Sequence, residues 1–127
     1  MRRIITAAVF MLTILVSTNL NAQEEADRLT GVWEPSHGKA KVKIDKIGSK
    51  YYGKIVWLKE PNDPETGAPK VDKNNPDAAM QASPLRGYRI LKDFVYTDKN
   101  EWTEGTIYDP ENGNTYSCII KMTDKNT

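Results

Sequence analysis

A chain of 127 residues with a formal net charge of +1 has room for one small domain and a single buried core. Near-neutral charge removes the electrostatic case for nucleic acid or an anionic membrane surface as partner. The only cysteine, Cys118, excludes an internal disulfide.

The first segment reads as an export signal. Arg2 and Arg3 precede an apolar run from Ile4 to Val16, and polar and small residues follow to Asn21, Ala22 and Gln23. The run is too short and wrongly flanked for a membrane span, and cleavage is expected after Ala22. No cysteine follows it closely, so a lipid anchor has no attachment point. The expected address is periplasmic or secreted. Residues 23–127 then form a single domain of about 105 residues, its net charge about −1 once the two arginines are lost.

From there the hydrophobic period is mostly two, the spacing of strands. In "AKVKIDKI" (40–47), Ala40, Val42 and Ile44 share one face, opposite Lys41, Lys43 and Asp45. Lys39, Lys41 and Lys43 form a basic stripe, which suits a solvated face better than an anion site. Gly48, Ser49 and Lys50 turn the chain into "YYGKIVWL" (51–58), where alternation puts Tyr51, Gly53, Ile55 and Trp57 together. Tyr52, Val56 and Leu58 fall on the other side, so this strand is expected to be covered on both sides or half exposed beside a cavity.

Residues 59–87 break the pattern. Proline, glycine, asparagine and aspartate are dense here and favour turns over ladders. One helical turn is expected inside the segment, capped by Asn75 with Pro76 at its first position, running from Asp77 to Gln81. Asp63, Glu65, Asp72, Asn74 and Asp77 offer hard oxygens, but no calcium-loop spacing fits them, so turns and a cap are the simpler reading. A loop of this length with ordered turn signals is expected to do something beyond connecting strands.

Strands resume in "YRILKDFVYT" (88–97), turn at Asp98 to Asn100, and return in "EWTEGTIYD" (101–109). "DPENGN" makes a tight connection to "TYSCIIKM" (115–122), where Cys118 alternates with Tyr116, Ile120 and Met122 as a small inward hydrophobe. A last turn at 123–127 has no returning strand, which leaves that edge to be closed by something else. The order predicts an all-β, antiparallel, meander-like barrel or sandwich.

Three motifs are familiar in this order: Gly31-Val32-Trp33; Asn75-Pro76-Asp77 with Pro84-Leu85-Arg86-Gly87; and the run from Trp102 to Tyr116, which includes Gly105, Asp109, Pro110 and Gly113. Through them the chain resembles the bacterial domain-of-unknown-function family 2147 over essentially all of its mature length. The resemblance implies a small lipocalin-like (calycin-type) barrel whose closing C-terminal strands are absent here, because relatives continue for about two more strands. It also implies that Trp33 plugs the closed end while Gly31 lets the chain pass close beside it. The family has no established activity, so no reaction, cofactor or metal comes with it.

Catalytic chemistry finds little support in the residues. His37 is the only histidine and lies in a turn-like "PSHG"; no serine sits in a nucleophile-elbow frame. Glu104, on the same predicted face as Trp102, Thr106 and Tyr108, is the one polar candidate for a cavity, and a solvent-facing place on the barrel exterior is the simpler reading. The leading expectation is a non-catalytic barrel holding a small hydrophobic or amphipathic ligand against Tyr51, Trp57, Tyr88, Trp102, Glu104 and Tyr108. The second is an envelope protein-interaction module using the 59–87 loop or an open strand edge. A carboxylate-based enzyme stands third.

Overall fold

The computed structural model describes residues 23–123, so the expected export signal and the last residues of the chain lie outside the described part. Six strands follow one another: β1 (Gly31–Trp33), β2 (Ala40–Ile47), β3 (Lys50–Leu58), β4 (Arg89–Asp98), β5 (Glu101–Asp109) and β6 (Asn114–Lys121). They form one antiparallel sheet in sequence order, and β1 and β6 are its two edges. The meander is therefore all-β, as the period-two pattern predicts, and open. No helix among the described residues is long and apolar enough to cross a membrane.

Short turns set the register of the hairpins. Ile47 pairs with Lys50 and Asp98 with Glu101, leaving two-residue turns at 48–49 and 99–100. Lys99 and Asn100 both take positive φ, as the type I′ turn of a right-twisted hairpin requires.

The core lies on one face of the sheet. Val42, Ile44, Tyr51, Leu91, Phe94, Trp102 and Met122 are buried together, with Ala26 and Leu29 from the segment before β1. Residues 23–27 are helical and cap one end of this core. Trp102, fully buried, donates from Nε1 to the carbonyl of Ala26 (3.1 Å), and Tyr51 donates to Asp27 Oδ1 (2.6 Å). Lys46 pairs with the same carboxylate at 3.2 Å. The Tyr51 hydrogen bond, aided by Lys46, holds Asp27 below the usual carboxylate range.

This arrangement revises the expectation for the Gly-x-Trp motif. Trp33 is half-buried, packs at the margin of the core and donates from Nε1 to the carbonyl of Leu29 (2.8 Å). The end of the core is filled by Ala26 and Leu29 instead. Gly31 has φ +126 with open space where a β-carbon would stand, so it serves backbone direction and not close approach.

Three of the sheet's register slips bear most on which side chains face the core. Between Lys41 and Val42 the β2–β3 register slips, so Lys41 faces Trp57 whereas Val42 faces Ile55. Trp57 is thereby rotated out of the Tyr51–Gly53–Ile55 face and is 40% exposed, with the Lys41 ammonium 5.0 Å from its ring centre. A second slip, between Trp102 and Gly105 against β6, coincides with φ +62 at Glu104. Trp102, Gly105 and Ile107 then share the core side, Thr106 and Tyr108 the opposite side, and Glu104 stands exposed. The third slip, between β3 and β4, coincides with φ +65 at Asp93, whose carboxylate accepts from Tyr52 (2.9 Å). Strict alternation misses all three because an extra residue inverts every side chain beyond it.

Candidate functional site

Residues 59–87 fold into an ordered flap lying on the face of β4–β5–β6 opposite the core. Two isolated bridges organise it, Asn62 with Pro69 and Val71 with Pro84. Its far end returns to the sheet through Gly87 N, which donates to the Ile55 carbonyl (2.6 Å). The carboxylate-rich positions act locally: Asp63 accepts from Glu65 N (2.8 Å) and Asp77 from Ala79 N (3.0 Å). The helical turn is a 3-10 turn over Ala78–Met80 capped by Asp77, two residues later than expected. Asn75 instead sets up the cap, its Oδ1 accepting from Asp77 N (2.8 Å).

The flap is fastened by a buried polar cluster. Asp72 has no exposed surface; its Oδ1 accepts from Tyr108 (2.8 Å) and its Oδ2 from Asn75 Nδ2 (2.8 Å). Asn75 Nδ2 also donates to the Tyr88 oxygen (2.9 Å). The Tyr88 and Tyr108 rings meet at 5.7 Å. A second fastening joins Asn74 Nδ2 to the carbonyls of Pro110 and Glu111, both at 3.0 Å. There Asp109 closes the β5–β6 turn, its carbonyl accepting from Gly113 N (2.8 Å). Gly113 is buried at φ +76, and a β-carbon on it would collide with the Asn74 carbonyl.

Burial, reinforced by the hydrogen bond to Asp72, pushes the Tyr108 phenol well above its ordinary value. Burial likewise raises Tyr51, with the bond to Asp27 adding to it. The linkage has a definite sign. Above the ordinary phenol value of about 10, the unfolded chain releases protons that the folded chain still holds, so stability falls as pH rises. Urea midpoints measured from about pH 9 to about pH 11 are expected to drop, and less steeply in Tyr108→Phe. Equal slopes in both proteins would refute the assignment to Tyr108.

Beside this cluster a cleft of about 340 Å³ opens between flap and sheet. Pro76, Asp77 and Met80 form its flap wall; Tyr88, Ile90, Lys92, Thr106 and Tyr108 its sheet side, with Arg89 and Thr115 at the margins. Of the six side chains expected to gather around a ligand, only Tyr88 and Tyr108 meet here. Tyr51 and Trp102 are core; Trp57 and Glu104 lie on the outside for the bulge reasons above. Lys92, Thr106 and Met80 carry no sequence signal beyond ordinary strand and turn positions. Asp72 figures in the sequence only as a turn or metal-site oxygen, although it anchors the flap.

Other candidates resolve simply. His37 is exposed and its Nδ1 accepts from Lys39 N (2.9 Å). Cys118 packs against the core, and burial pushes its thiol up. Lys39 reaches Glu111 (3.8 Å) and Lys43 reaches Asp45 (4.0 Å), so the basic stripe is largely paired along the surface. Among the described residues, no three acidic, histidine or cysteine side chains converge as a metal site.

Comparison with known proteins now gives this architecture a family. The model of a family described as an uncharacterised protein conserved in bacteria, DUF2147, matches residues 31–127. The chain belongs to that family. Both fastenings of the flap lie within the DUF2147 match. A solved structure, protein HP1028 from Helicobacter pylori, described as belonging to the lipocalin family, superposes with a TM-score of 0.58 at 22% identity. The likeness covers 72% of this chain and 60% of that one, and at this identity it establishes the lipocalin-like fold. No curated protein matches the chain.

Proposed function

We propose that this DUF2147 protein is a non-catalytic binding module, acting outside the cytoplasm, that holds a small amphipathic ligand in the cleft between the flap and β4–β5. The observation that carries this reading is the cleft itself, where Ile90, Met80 and Pro76 line the space together with phenol, hydroxyl and charged groups. An apolar lining with a few convergent polar groups is the usual make-up of a small-molecule site. The core side of the sheet supports a different use. It is filled by Trp102, Tyr51 and Phe94, each no more than 1% exposed, so these aromatics serve stability before any ligand.

Native mass spectrometry of protein purified without detergent tests the reading. A bound mass that leaves on denaturation is expected, and Thr106→Trp, which fills the cleft from a partly exposed strand position, is expected to remove it while the fold persists. A bound mass that survives Thr106→Trp would place the ligand elsewhere. An empty protein would favour the second reading, an envelope interaction module. That reading draws on β6, an edge of the sheet among the described residues, and on Ile119, 64% exposed there.

A further inference from the structure

We propose that the ligand of this cleft is an anionic amphiphile of the single-chain carboxylate type, its headgroup held by Lys92 and its apolar part lying over Ile90 towards Met80 and Pro76. The inference rests on the binding reading above and adds the ligand's charge and orientation.

Lys92 and Thr106 are direct cross-strand partners, and both line the cleft. They place an ammonium and a hydroxyl side by side at the end away from the flap fastening. Among the described residues, Lys92 is within salt-bridge distance of no carboxylate, in contrast to Lys39, Lys43, Lys46 and Lys70. Arg89, stacked on Tyr52 at 4.7 Å, lies next to Tyr88 at the flap end and is not part of this pair. Asp93, beside Lys92 in sequence, does not line the cleft and accepts from Tyr52, and the cleft's own negative groups lie at the opposite end from Lys92. Asp72 is buried with both oxygens hydrogen-bonded, and Asp77 spends Oδ1 on the cap of the 3-10 turn. These carboxylates disfavour a second anion at that end, while burial, with Asp72 beside it, raises the Tyr88 phenol and keeps it neutral there.

The cleft is thus polarised along β4: Asp72, Asp77 and the phenols at the flap end, the Lys92 ammonium with Thr106 at the other, and Ile90 between them. A neutral hydrophobic molecule would cover Ile90, Met80 and Pro76 and leave the Lys92 ammonium unused. A carboxylate on a short apolar chain satisfies both, and in only one direction.

Amide-shift titration by NMR of the folded protein with octanoate and with octan-1-ol separates the claims. Both ligands are expected to shift Ile90, Thr106 and Tyr108, with octanoate binding about five-fold tighter in dilute buffer. That preference is expected to shrink at high salt and vanish in Lys92→Met, whose spectrum otherwise shows the fold unchanged. Equal affinities in the wild type, or a preference that persists in Lys92→Met, would overturn the headgroup assignment and leave the cleft reading standing. Shifts confined to the Tyr116 and Cys118 side of the sheet, or none with either ligand, would remove the cleft reading and this inference with it.

Discussion

Gly105→Ala is expected to be among the most damaging single changes in this protein, lowering stability by about 2–3 kcal/mol and the melting temperature by roughly 10–20 °C. Gly105 is buried on the core side of β5, and the Phe94 ring of β4 lies flat across it. A β-carbon there would occupy the ring's own volume, and Phe94 is itself 1% exposed with no room to retreat. The bulge before Gly105 is what brings the glycine inward and sends Glu104 out, so relief through the backbone would undo the pairing of Gly105 with Cys118. The double variant Phe94→Leu with Gly105→Ala is the decisive partner measurement. Phe94→Leu alone leaves a void, whereas the added methyl partly fills it. The two changes should therefore cost less together than the sum of each alone, by more than about 0.5 kcal/mol in denaturant melts. Additive losses would mean that the ring contact does not set the cost.

The same bulges explain how much of this molecule is legible in its sequence. The strands of the meander, the turns at 48–49 and 99–100, and the flap all follow from period-two runs broken by glycine, asparagine and proline. Val42, Ile44, Tyr51 and Ile55 lie inward as alternation requires, because no bulge intervenes between Tyr51 and Ile55 against β2. Alternation fails at Trp57 and Glu104 for one physical reason. A bulge is a single extra residue with no compositional mark of its own, and it exchanges the two faces for everything that follows. Gly105 does carry a signal, since a glycine inside a strand indicates a bulge or a close approach, and here it marks both. The cleft leaves the faintest trace in the sequence. Tyr88 and Tyr108 are recognisable as candidates, but Lys92, Thr106 and Met80 become a site only when the flap folds over the sheet. That folding depends on Asp72, a residue whose type suggests a turn and whose burial only the tertiary structure reveals.

Asp72→Ala is expected to release the flap, with a loss of up to about 3 kcal/mol of stability and a much larger local effect. Removing the carboxylate leaves the Tyr108 hydroxyl and Asn75 Nδ2 without their buried acceptors. Each orphaned donor costs about 1–3 kcal/mol if the site stays closed, and that cost is avoided only if the flap opens to water. Part of the loss is offset because the buried carboxylate carries its own desolvation penalty in the folded state. Asp72→Asn should fall between Asp72→Ala and the wild type. Its carbonyl can still accept from Tyr108, but its amide meets the donor face of Asn75. The measurement is hydrogen exchange with limited proteolysis. The amides of Asp72, Leu85 and Gly87, bonded to Ser83, Lys70 and Ile55, should lose protection, and residues 59–87 should become the first site of cleavage. Amides of β5 around Trp102 should keep theirs, because the core face does not touch the cluster. If flap and core amides lost protection together, Asp72 would be part of the general stability of the sheet. If neither changed, the buried cluster would not be what holds the flap. Selective release is the result that ties the cleft to the flap: without the Asp72 anchor its outer wall of Pro76, Asp77 and Met80 is free to leave, and ligand capacity should fall with it.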